Sequence, residues 1–298
     1  MPDPVYRVST IRRGPGPLPG CIFAAVSFLV LVAPGPDLQA VDILQTSRTT
    51  YRGKVLKADA DTVLIDLETG NRIGVPRASI VRSRVEPNPE VLKGAELYEE
   101  GEIAAAYAQL AKSVPRFYGL DADWAVGGAI QYGRAAIELE KYDEAEKIFR
   151  NVEKLNPKHP LILGAYLGRA QVRLAQNKYE SALGAFTNLA QRFDSMLKPP
   201  PQQMEVAAEL HLGTGKSAEG LSQWETALDA YLKVITLYPA KQVYEEALFR
   251  SAAIRAKLGE NESASAALEE LIEDYPESEY GAQALKLKQH IDKQTNAD

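Results

Sequence analysis

The segment Leu212–Ser217, "LGTGKS", is the stretch of this chain that most invites a chemical reading. A glycine-rich loop ending in Gly-Lys-Ser can turn consecutive backbone N–H groups onto a phosphate, with the lysine reaching the outer oxygens. That geometry needs a glycine five residues before the Gly-Lys pair and a buried strand leading into the loop. Here the position is Leu210, and the lead-in "QMEVAAELHL" has the composition of a helix. A nucleotide-dependent accessory factor using Lys216 is therefore the alternative reading from the enzyme class, and the residues around it argue for a helix instead. His159, His211 and His290 are far apart, with no Asp, Glu or Cys at ligand spacing. They give no zinc or nucleophile pattern, and His159, between Pro157 and Pro160, reads as a loop residue. No catalytic residue, metal or cofactor is expected.

The elements that carry these residues come from a repeat. A small residue, an apolar or aromatic residue nine positions on, an alanine three further and a large apolar residue four beyond that recur five times. The copies read Gly94, Ile103, Ala106, Leu110; Gly133, Tyr142, Ala145, Phe149; Ala170, Tyr179, Ala182, Phe186; Gly215, Trp224, Ala227, Tyr231; and Ala252, Asn261, Ala264, Leu268. Pro157, Pro239 and Pro276 follow the aromatic slot by fifteen residues, where a proline stops a second helix. Gly215, in the middle of the phosphate-loop-like segment, is simply the small residue of the fourth copy. Two antiparallel helices packed so closely that only Gly or Ala fits at their crossing account for the pattern. Most Tyr and Trp then belong to packing slots.

Steps of 39, 37, 45 and 37 residues separate the aromatic slots, and the longest step contains Pro199–Pro201, which reads as a loop insertion. This spacing and residue pattern resembles the tetratricopeptide repeat (TPR), whose period is about 34. The resemblance covers Pro87 to the end and is sharpest over Tyr142–Pro157 and Trp224–Pro239. Ile103 and Asn261 depart from the aromatic slot, and Asp194 stands where the third copy would have its proline. The junction "DYPESEYGAQAL" is similar to exported bacterial envelope TPR proteins, such as the Tol-Pal-associated cell-division coordinator and BamD-type outer-membrane assembly lipoproteins. What this implies is a mainly α, right-handed TPR solenoid of about five hairpins, with residues from Glu279 to about Lys293 as a polar capping helix.

Two other segments precede the repeats. Arg7, Arg12 and Arg13 lead into the apolar run Cys21–Ala33 and then to "DLQA" before Val41. Thirteen apolar residues are short for a membrane span, which takes about 20, and suit a secretory signal, giving a signal peptide over 1–40. Cys21 opens the run, whereas a lipidated cysteine would follow it, and Arg12-Arg13 lead into "GPGPLPG", not into an apolar residue. Within a domain of residues 41–86 the period changes to two from Thr49 to Val85, with Val63, Ile65 and Leu67, a turn at Gly70, and Ile73 and Val75. Three to five short strands are expected, similar to a small SH3-like or Sm-like β-barrel or β-meander. At this size it needs the first helices for support. Residues 87–298 make the helical-repeat domain.

The chain has 34 Lys+Arg against 40 Asp+Glu, a net charge of −6, and removing residues 1–40 leaves −7 and no cysteine. A generally acidic surface argues against nucleic acid as the main partner. The expected function is a non-enzymatic scaffold, exported to the periplasm or cell envelope and so close to a membrane, that binds a protein or peptide in the concave groove of the first helices. Gln131, Arg134, Gln171, Lys216, Phe249, Arg250 and Lys257 are the candidate groove residues, and their cations favour an acidic or carboxylate-bearing segment. Self-assembly into a homo-oligomer is the alternative within the binding class.

Overall fold

The computed structural model describes residues 41–194 and 204–295, and the expected signal peptide lies outside them. Five strands come first: β1 Asp42–Thr46, β2 Thr50–Ala58, β3 Thr62–Leu67, β4 Arg72–Pro76 and β5 Ile80–Arg84. They form one antiparallel sheet in the order β4-β3-β2-β1-β5, so β4 and β5 are its edges. The alternation in sequence becomes two faces, with Leu44, Val55, Val63, Ile65 and Val75 inside. The first strand begins earlier than the alternation starting at Thr49 suggests. Its register is held by the buried Asp42, whose carboxylate accepts the Val55 N–H (2.7 Å) and the Glu86 N–H (2.8 Å). Gly70, at φ +85°, makes the β3–β4 turn.

Eleven α-helices follow among the described residues. α1 Pro89–Glu99 and α2 Ile103–Ser113 form the first hairpin, α3 Asp123–Glu138 and α4 Tyr142–Leu155 the second, and α5 Ile162–Ala175 and α6 Tyr179–Asp194 the third. α7 Met204–Gly220 with α8 Trp224–Leu237, and α9 Lys241–Lys257 with α10 Asn261–Asp274, complete five hairpins, and α11 Glu279–Thr295 ends the array. Ile103, Tyr142, Tyr179, Trp224 and Asn261 are the first residues of the five second helices. Pro157, Pro239 and Pro276 each stand two residues beyond the last helical one. Two residues before each slot the chain takes a positive φ, at Gly101, Glu140, Asn177, Ser222 and Gly259. Each closes the preceding helix through the same pair of backward hydrogen bonds, such as Glu140 N–H to Ile137 O and Lys141 N–H to Ala136 O.

The crossing rule has a direct steric basis. A Cβ on Gly133 would lie 2.5 Å from the Phe149 ring, on Gly94 2.6 Å from Leu110, and on Gly215 2.4 Å from Tyr231. In the first, second and fourth hairpins the large residue of the second helix thus lies on the glycine of its own first helix. Phe149 and Phe186 also touch the next hairpin, through Gly168 and Gly213.

The sheet joins the helices in one core, in which Leu44, Val63 and Ile65 share a cluster with Val91, Leu110, Val126 and Phe149. Polar contacts fix the docking. The Gly119 N–H donates to Ala58 O (2.9 Å), so closely that a Cβ on Gly119 would strike Asp59 O, and Trp124 Nε1 donates to Val85 O (3.1 Å). Arg77 donates to Leu155 O and Asn156 Oδ1 at the C-terminus of α4, where a cation suits the helix dipole. The expected support of the small sheet by the first hairpins is therefore present. Three further clusters carry the core through α5–α7, α7–α9 and α9–α11. No helix of the described residues is long and apolar enough to cross a membrane.

Candidate functional site

The first helices α1, α3, α5, α7 and α9 line a cleft of about 760 Å³. Its lining follows the repeat register. One residue after the small slot stand Arg134, Gln171 and Lys216; four after it, Tyr98, Ile137, Leu174 and Glu219; five after it, Glu138, Ala175, Gly220 and Lys257. Tyr179 and Trp224, which open α6 and α8, add aromatic faces at the rim.

Carboxylates answer most of the cations. Arg134 Nη2 lies 3.0 and 2.9 Å from the two oxygens of Glu209, two hairpins away, and Gln171 Nε2 donates to the same carboxylate from the hairpin between them (3.0 Å). Glu209 therefore ties α3, α5 and α7 together, while Arg134 Nε is buried without a partner. Further along, Lys216 Nζ (2.9 Å) and Arg250 Nε (2.7 Å) both meet Glu246, and Arg250 Nη1 meets Glu219 (3.1 Å). Burial raises the Glu246 carboxyl, but Lys216 and Arg250 more than offset it and hold it below the ordinary carboxylate range. Burial likewise works against the Arg250 charge, and Glu246 with Glu219 overcomes it, leaving the guanidinium more firmly protonated than usual. Tyr98 donates to Glu138 (2.7 Å), and burial together with that carboxylate pushes its phenol up. Lys257 differs: its Nζ sits 4.3 Å from the centre of the Trp224 ring, and no described carboxylate lies within ion-pair distance.

The "GTGKS" residues are part of α7. Thr214 and Ser217 hydroxyls donate back to Leu210 O (2.9 Å) and Gly213 O (2.7 Å), and the backbone amides are spent in helical bonds. Such a segment has no free N–H groups to cradle a phosphate. His159 is in the α4–α5 connection and is buried, with Nδ1 accepting the Leu161 N–H (3.1 Å) and Nε2 3.2 Å from Asp123. No group of three or more potential metal ligands exists among the described residues.

A family model described as tetratricopeptide repeat matches residues 132–196 and 167–242, and a second with the same description matches 246–278. The helical array carries tetratricopeptide repeats. The TPR fold is shared with solved structures: a thermophilic TPR protein of Thermus thermophilus superposes with a TM-score of 0.51 at 16% identity, covering 66% of this chain and 96% of that one. A TPR protein from Parabacteroides merdae gives 0.53 at 17%, covering 67% and 70%. The anaphase-promoting complex hetero-tetramer Cut9-Hcn1 gives 0.52 at 16%, covering 67% and 35%. No curated protein sequence matches the chain.

Within this TPR array, Arg134, Gln171, Lys216, Arg250 and Lys257 line the cleft as a group. Two other candidate residues do not. Gln131 bonds Glu99 (3.0 Å) between α3 and α1, and Phe249 sits three residues before the small slot, in the packing row of Val91, Ile130 and Leu167, with its ring 5.9 Å from Tyr280. The cleft is also not the basic surface that its cations alone suggest, because Glu138, Glu209 and Glu219 line it too. The signal for Glu209 lies in the register. It stands six residues before the small slot, as Glu246 does in the next repeat, on the same helical stripe as Lys216.

Proposed function

We propose that this chain is a non-enzymatic TPR adaptor that holds an extended segment of a protein partner in the cleft of its first helices. The observation that carries the reading is the cleft itself, presented in register by five successive helices. TPR proteins act as protein-interaction scaffolds, and most of the charged groups of this cleft are engaged with one another. The charge pattern refines the partner. Arg134, Lys216 and Arg250 already hold carboxylates, so the acidic group of a partner has its place at Lys257, beside Trp224. Ile137, Leu174 and Tyr179 offer apolar surface for its side chains. The pattern of Arg7, Arg12 and Arg13, apolar run and small residues supports export to the cell envelope, as does the "DYPESEYGAQAL" junction.

The test is selection from a random peptide display library on the immobilised chain, with parallel selection on Ala175→Arg, which fills the cleft from a helix-compatible position. Peptides enriched on the wild type should carry a carboxylate and lose at least about tenfold in affinity, or about 1.4 kcal/mol, on Ala175→Arg. Equal enrichment on both proteins would move the binding site out of the cleft.

A further inference from the structure

The solvent face of the sheet is basic, and the far end of the array is acidic. Across β5, β1 and β2, Arg84 and Arg52 flank Ile43 in register, and across β2, β3 and β4, Lys54 and Arg72 flank Asp66. Arg82 stands two residues from Arg84 on the same face, so five cations share it with the carboxylates of Asp66 and Glu68. Lys54 and Arg82 have no described carboxylate within ion-pair distance. Residues 41–86 as a whole hold eight Lys or Arg against six Asp or Glu, whereas residues 258–285 hold eight carboxylates and no Lys or Arg. Among those eight, Glu262, Glu269, Glu273 and Asp274 are exposed on α10. Glu269 meets Lys288 (3.3 Å), and the others named have no recorded cation partner. The sheet packs on the first hairpins and α10 on α9 and α11, so the two surfaces lie at opposite ends of the stack and cannot meet within one molecule.

We infer that the sheet face is a docking surface for a second copy of this chain, which presents its α10 carboxylates in a head-to-tail contact. The chain carries both halves of the complementary pair, which favours a second copy over a nucleic acid or an anionic membrane. A contact between two different surfaces leaves one of each free, so association continues past the dimer instead of closing. It is driven by exposed charges and is correspondingly salt-sensitive.

Sedimentation of the chain decides the matter between ~0.02 M and ~0.5 M NaCl, over which the Debye length falls from about 20 Å to about 4 Å. The expected result is a mass that grows with concentration at low salt and returns to the 32.6 kDa monomer at high salt. Arg52→Glu with Arg84→Glu, and separately Glu273→Lys with Asp274→Lys, should each remain monomeric at low salt. All four positions are exposed, and unchanged circular dichroism verifies that the variants fold. Mixed in equal amounts at low salt, the two variants should associate, because the intact α10 of one meets the intact sheet of the other. A mixture that stays monomeric at low salt would contradict the pairing. A monomeric wild type at low salt, or association that survives high salt, overturns the inference. So does a monomeric chain whose sheet cations are instead needed for binding to phosphatidylglycerol vesicles.

Discussion

Two faces of the same helices obey different rules. On the packing face of α3, α5 and α7, the residue type is dictated by distance: a Cβ at Gly133, Gly168 or Gly213 would fall 2.2–2.5 Å from the ring of Phe149 or Phe186. One residue on from the small slot, on the groove face, stand Arg134, Gln171 and Lys216, three different side chains solving the same problem with a carboxylate from another hairpin. Sterics admit one answer, and electrostatics in a partly hydrated cleft admit many. The packing face therefore specifies the array, and the groove face is free to vary.

The largest expected effect tests that contrast directly. Phe149→Ala removes a fully buried ring that fills the space between Gly133 and Gly168 of two hairpins, and should cost about 3–5 kcal/mol in denaturant unfolding. Gln171→Ala removes one hydrogen bond to a carboxylate that keeps Arg134, and should cost under about 1 kcal/mol. Comparable losses at the two sites would mean that the groove bonds are as structural as the crossings.

The same contrast explains what the amino-acid sequence alone makes legible. Gly94, Gly133 and Gly215, with Ala170 and Ala252 in the same slot, recur because nothing larger than Gly or Ala fits at the crossing, so their spacing located all five hairpins. The sheet was legible in its alternation, but β1 was missed in part because its register depends on Asp42, a buried carboxylate whose partners Val55 and Glu86 are distant in sequence. In the groove, Arg134 and Arg250 were found from helix position alone. Glu209 was not, because its link to Arg134 spans 75 residues and skips a hairpin. Phe249 was misplaced into the groove because an aromatic residue near a first-helix crossing carries no mark of which side it faces until Tyr280 covers it.

An intermediate effect comes from acid. Glu246 is held below the ordinary carboxylate value by Lys216 and Arg250, against the effect of burial. A depressed carboxyl contributes stability that is fully present above its unfolded value of about 4.3 and is lost as pH falls through the lower folded value. Glu153, raised by burial despite Arg169, has the opposite sign, so its ionised form costs stability at neutral pH and acid relieves that cost. Glu246→Gln should therefore destabilise by about 1–2 kcal/mol at neutral pH, and the gap from wild type should close on acidification below about 4.3. Denaturant midpoints for both proteins across this range measure the gap directly. A constant gap would show that Glu246 contributes through shape and not charge, drawing the groove face closer to the packing face.

The smallest effect lies where the two faces of a hairpin join. All five turns use the left-handed region, yet only Gly101 and Gly259 reach it without strain, while Glu140 sits at φ 58° and Asn177 at φ 56°. A glutamate there costs about 1–2 kcal/mol in backbone strain, which asparagine partly escapes. Replacing it by glycine removes the strain but adds about 0.4–1 kcal/mol of unfolded-chain entropy. Glu140→Gly should thus stabilise by about 0.5 kcal/mol as the difference of those two terms, while Asn177→Gly should be neutral or slightly destabilising. The ordering matters more than either value, since both turns make the same backward hydrogen bonds, to Ile137 and Ala136 in one and to Leu174 and Arg173 in the other. If Asn177→Gly stabilised more than Glu140→Gly, backbone strain would not be what separates these turns. The repeat geometry would then rest on the Gly crossings alone.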